Sequence, residues 1–98
     1  MKIETQKQIN ETQLAELVET IARMTDEDNH TGAVCALAEF VGDKDEVDEA
    51  HYLEKMHDEI SHTPWTLILR RNSLRDRIML KITASHGWTN AMAVWRSF

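Results

Sequence analysis

Cysteine, proline and glycine are nearly missing from this chain: one, one and three among 98 residues. A single Cys35 excludes an internal disulfide and any multi-cysteine zinc cluster. So little glycine and proline, with no low-complexity tract and no internal repeat, argues against disorder and against an all-β fold, which needs many turns. Long hydrophobic runs are missing too. The longest, around Ala33-Val34-Cys35-Ala36-Leu37-Ala38, falls far short of the roughly 20 residues that span a bilayer. The opening Met1-Lys2-Ile3-Glu4-Thr5-Gln6 is polar and contains an acid, unlike a secretion signal. No glycine-rich phosphate loop and no nucleophile elbow occurs. No acid pair sits on an apolar background that would raise its pKa. The sparse serines and threonines fall at helix ends, where capping explains them. The expectation is a soluble, cytoplasmic, non-enzymatic protein that needs no cofactor or membrane. Cys35 reads as a small buried hydrophobe, and a lone thiol suits a reducing compartment.

What the chain does have is helical periodicity. The length supports one core, so residues 1–98 read as one all-α domain, a compact bundle of about five helices, with 1–9 a flexible start. Leu14, Leu17, Val18 and Ile21 recur at i, i+3, i+4, i+7 and predict a helix over 11–24. Asn10 with Gln13 forms a capping box there, and Ile9 with Leu14 a hydrophobic staple. After a polar connector over 25–31, Val34, Leu37, Ala38 and Val41 mark a second helix. It is apolar over much of its circumference, hence central, and stops at Gly42. Asp43 or Asp45 caps a third helix, whose acidic first turn suits the helix dipole. Its apolar face is Val47, Ala50, Leu53, Met56, His57 and Ile60. Thr63-Pro64 reads as N-cap and N1 of a fourth helix, either unbroken to His86 or broken near Asn72-Ser73. The β-rich run 65–69 leaves a short strand open there. Gly87 ends that helix. Trp88, Ala91, Met92 and Trp95 define the face of a fifth, which must dock to stay helical.

Charge is unevenly placed. Residues 1–62 hold 5 Lys/Arg against 16 Asp/Glu, while residues 63–98 hold 6 Lys/Arg against Asp76 alone, within a net charge of −6. Arg70, Arg71, Arg75, Arg77 and Lys81 fall within about three turns of the fourth helix. Arg70, Arg77 and Lys81 share one side of it. Leu67, Leu74, Ile78 and Ile82 define its buried side. This basic stripe suits phosphates, an acidic partner, or the protein's own acidic helices. The acidic surface of Asp45, Glu46, Asp48, Glu49, Asp58 and Glu59 resembles a run of phosphates only weakly. A nucleic-acid reader is usually basic overall, and no helix-turn-helix stands out.

Five histidines raise the question of a metal. Glu54-x-x-His57 and Glu59-x-x-His62 match a fragment of carboxylate-bridged di-iron bundles. Both copies lie on one helix, however, and His57 and His62 point to different sides of it. His51, Asp58 and His62 read as solvent-facing. No metal is therefore expected. Trp65, with Leu69 and Leu80, lies off the buried face of the fourth helix, so that helix is apolar on two sides and one side wants a partner. The reading is an interaction module, an inhibitor or adaptor of the kind viruses and mobile elements encode. It would contact a larger protein, such as nucleic-acid-processing machinery, through Trp65 and the basic stripe or through the acidic third helix. A homodimer is a further use of the apolar side. The alternative is a nucleic-acid-associated protein that binds phosphates through the basic stripe of the fourth helix.

Overall fold

The computed structural model describes residues 2–60, 62 and 64–98, with side chains from residue 11 onward. Five helices follow in order: α1 Lys2–Asp26, α2 His30–Val41, α3 Lys44–Glu59, α4 Trp65–His86 and α5 Trp88–Ser97. Among the described residues there is no strand, so 65–69 is helical. α2 packs against α1, α3 and α4, while α5 closes the bundle against α1 and α4. This is the central position its apolar circumference predicts. Thr31 through Cys35, with Leu37 and Ala38, are all buried.

α1 departs from its predicted start. Its backbone is helical from Lys2 through Asn10, so Asn10 is an interior residue and no helix begins at Glu11. Glu, Gln and Lys dominate this segment and carry the helix backwards without a breaker. The side chains of Ile9 and Asn10 lie outside the described residues. Further along, Leu14, Leu17 and Ile21 are buried as the periodicity predicts.

The connector between α1 and α2 is shorter than 25–31. α1 runs on to Asp26, and Asp28 adopts the left-handed conformation at φ 58°. Asn29 N–H then donates to the Met24 carbonyl at 2.7 Å. Asn29 caps α2, its side-chain oxygen accepting from Gly32 N–H at 3.0 Å. The Asn29 side chain lies so close over Gly32 that an added Cβ would stand 2.4 Å from its amide nitrogen. Gly42 ends α2 in the left-handed region, at φ 77°.

Asp43 caps α3, accepting from Asp45 N–H at 3.1 Å. α4 is unbroken across Asn72-Ser73. Pro64 occupies its N-cap position rather than N1, and its carbonyl accepts from Leu67 and Ile68 N–H at 3.1 and 3.3 Å. Thr63 lies outside the described residues. Leu67, Leu74, Ile78 and Ile82 are buried as predicted, joined by Met79. Gly87, at φ 87°, separates α4 from α5 in one residue.

α5 corrects a second expectation. Its buried residues are Ala91 and Val94, not the tryptophans. Small side chains let α5 approach α1 and α4 closely, and this turns Trp88 and Trp95 outward.

Candidate functional site

The acidic and basic halves of the sequence meet across the α3–α4 seam. Lys81 Nζ lies 2.8 Å from Asp43 Oδ2 and 2.5 Å from Glu46 Oε1. Glu49 sits between Arg77, at 2.5 Å, and Arg70, at 4.0 Å. Arg70 also lies over the Tyr52 ring, 5.5 Å from its centroid. Three residues of the basic stripe are thus held by the protein's own third helix.

The other two are engaged elsewhere. Arg71 is half-buried and donates toward Thr31 Oγ1 at 3.4 Å. Burial, followed by the neighbouring Arg75, lowers its pKa from the ordinary arginine value. Arg75 pairs with Asp76 at 3.1 Å and lies over the Trp95 ring, 4.6 Å from its centroid.

The predicted acidic surface divides in the same way. Glu46 is buried and Glu49 half-buried, both turned toward α4, while Asp45, Asp48, Asp58 and Glu59 face solvent. Glu46 Oε2 is buried without a hydrogen-bond partner, so Lys81 is its principal compensation. Hydrogen bonds from Lys81 and two backbone amides hold the Asp43 carboxyl below its usual value. Asp43 and then Glu46 hold the Lys81 ammonium above its own.

One part of the exposed surface is apolar. Leu80 is 73% exposed and Trp88 69%, with Trp95 at 40%. Together with Met79, Thr83, Ala91 and Met92 they line an open groove of about 350 Å³ between α4 and α5. Trp65, 69% exposed, and Leu69, 51%, continue along α4 on the side that carries Leu80. The sequence pointed to Trp65 and the second apolar side of α4. It missed the contribution of α5, because the spacing of Trp88, Met92 and Trp95 is also that of a buried face.

A second cluster lies on the opposite side of α3. Cys35 is buried in α2, and its thiol donates to the Ala50 carbonyl at 3.3 Å. The ligating atoms of Cys35, His51 and Glu54 all lie within 4.8 Å of one another. His51 Nε2 is also 3.1 Å from Glu39 Oε1. Of the Glu54-x-x-His57 motif only Glu54 belongs to this group, and His57 lies 3.8 Å from Asp58.

No helix among the described residues is long and apolar enough to cross a membrane. No family model matches the chain, and neither a curated protein nor a solved structure matches it.

Proposed function

We propose that this protein is a non-catalytic protein–protein interaction module, an inhibitor or adaptor that occupies a surface of a larger partner. One observation carries the reading: Leu80, Trp88 and Trp95 stand exposed around a single apolar groove with Met92. Monomeric soluble domains rarely expose contiguous apolar patches larger than a few hundred Å², and tryptophan is enriched at interface hot spots. Trp65 and Leu69 form a second exposed apolar pair on α4, with Ser73 and Asp76 between them and Leu80. Asp76 on α4 and Asn90 and Arg96 on α5 are exposed polar residues of the same two helices.

The contact moves away from the basic stripe. A phosphate ligand for Arg70, Arg77 or Lys81 has to compete with Glu49, Asp43 or Glu46. Such internal pairing sets part of the basic stripe against the acidic third helix.

The test is capture of a partner from the native cell by the wild-type protein and by Leu80→Ser and Trp88→Ser variants. A partner retained by wild type and lost by both variants supports the reading. A monomeric protein that captures nothing, or capture indifferent to both substitutions, overturns it. A mass measurement in solution separates the second-copy case: a dimer dissociated by Trp88→Ser assigns the groove to self-association. Mobility-shift titration at low salt addresses nucleic acid. Binding that weakens steeply with salt and is lost in Arg70→Gln/Arg77→Gln would transfer the function to the stripe.

A further inference from the structure

Three metal-binding side chains, Cys35, His51 and Glu54, converge where α2 packs on α3, and Glu39 lies beside His51. Cys35 and Glu39 stand one turn apart on α2, and His51 and Glu54 one turn apart on α3, so each helix presents a pair on one face. We propose that Cys35, His51 and Glu54, with Glu39 at the solvent side, bind one divalent cation of the zinc class.

The geometry is close to what such an ion demands. Bonds of about 2.0–2.3 Å in a tetrahedron place ligand atoms about 3.3–3.8 Å apart. His51 Nε2 and Glu39 Oε1 are already near that separation, at 3.1 Å. The Cys35, His51 and Glu54 atoms, within 4.8 Å of one another, need to draw in by up to about 1.5 Å. Cys35 is the fixed point, buried in α2 with its sulfur directed at α3, 3.3 Å from the Ala50 carbonyl, a hydrogen bond that coordination gives up. His51 is exposed and Glu54 half-buried, so both adjust by side-chain rotation without disturbing the core.

The chemistry selects the ion. Thiolate and imidazole together favour zinc and its soft neighbours over magnesium or calcium, which take oxygen ligands. One thiolate and one carboxylate neutralise a divalent charge beside the core, and Glu39 adds a second carboxylate on the wet side. A coordinated thiol is deprotonated outright. Binding therefore forms one metal–sulfur bond and breaks the S–H bond, the proton leaving to solvent.

The test is titration of the untagged, reduced protein with Co²⁺ alone, followed by competition with Zn²⁺. A tetrahedral site with sulfur shows strong visible ligand-field absorption and a near-ultraviolet sulfur-to-cobalt charge-transfer band. The chain has one cysteine, so that band can arise only at Cys35. The expected result is one ion per monomeric chain, with the band displaced by one equivalent of Zn²⁺. Cys35→Ser abolishes the band, and His51→Ala weakens affinity more than about 100-fold, beyond the loss of an outer partner. His57→Ala changes nothing. A wild-type protein without the band, one ion per two chains, or affinity unaltered in His51→Ala overturns the site. Should Cys35→Ser fail to fold, the wild-type spectrum and stoichiometry decide alone.

Discussion

Lys81 serves two carboxylates, and its loss exposes the difference between them. Asp43 is half-exposed and finds water when Lys81 is removed, whereas Glu46 is buried with one oxygen already unpartnered. Lys81→Met is therefore expected to lower the thermal midpoint clearly more than Arg70→Met, whose partner Glu49 keeps Arg77. Adding Glu46→Leu to Lys81→Met should recover much of the loss, a non-additivity that a double-mutant cycle measures. The same pairing gives a pH signature. Asp43 titrates below its ordinary 3.8, so its share of stability is present above that value and is lost as pH falls through the lowered pKa. Lys81 titrates above its ordinary 10.5, so its share is present below 10.5 and is lost as pH rises through the raised pKa. Denaturant midpoints of wild type and Lys81→Met should differ across the middle range and converge at both extremes. A constant difference down to the most acidic conditions would contradict the Asp43 pairing.

Helix ends set the second scale. Asn29 satisfies an amide that α2 leaves orphaned at its N-terminus, and removing that oxygen strands the amide. Asn29→Ala should cost about 1 kcal/mol, or roughly 4–8 °C in the midpoint of a domain this size. Gly42 answers a different demand. A Cβ there meets only the Glu39 carbonyl, at 4.0 Å, so space is not the constraint. The cost of Gly42→Ala comes from a backbone at φ 77° and should also be about 1 kcal/mol. Calorimetry checks both, and a neutral Gly42→Ala would mean that the α2–α3 turn relaxes freely. Asp28 shows the limit of reading such turns from residue type. It holds a left-handed φ with no glycine to announce it, and the sequence therefore suggested a longer connector.

For the whole molecule, stability and interaction use different residues. Leu37, Leu53, Leu74, Ile78 and Ile82 are fully buried at the contacts of α2, α3 and α4. Truncating one of them, as in Ile78→Ala, should cost about 2–5 kcal/mol, a large part of the stability of a small domain. Leu80→Ser and Trp88→Ser should move stability by no more than about 0.5 kcal/mol, because those side chains are exposed already. Chemical denaturation of the three variants checks the contrast. A large loss in Trp88→Ser would make the groove a structural element and weaken its reading as a docking surface.

Periodicity by itself determined the helices and most of their inner faces. Leu14, Leu17 and Ile21 on α1, or Leu67, Leu74, Ile78 and Ile82 on α4, repeat at the spacing of one helical face, and burying that face is what stabilises it. Composition likewise determined the all-α class, since one proline and three glycines leave few places to turn. Relations between helices were not legible, because sequence distance does not encode which faces meet. Only the packing of α3 on α4 decided that Arg70, Arg77 and Lys81 answer Glu49, Asp43 and Glu46. Only the small buried residues of α5 decided that Trp88 faces outward. And only the α2–α3 seam brought Cys35, which reads as a core hydrophobe, to Glu54 and to His51, which reads as solvent-facing. In each case the chemistry belongs to a pair of helices, and neither member shows it alone.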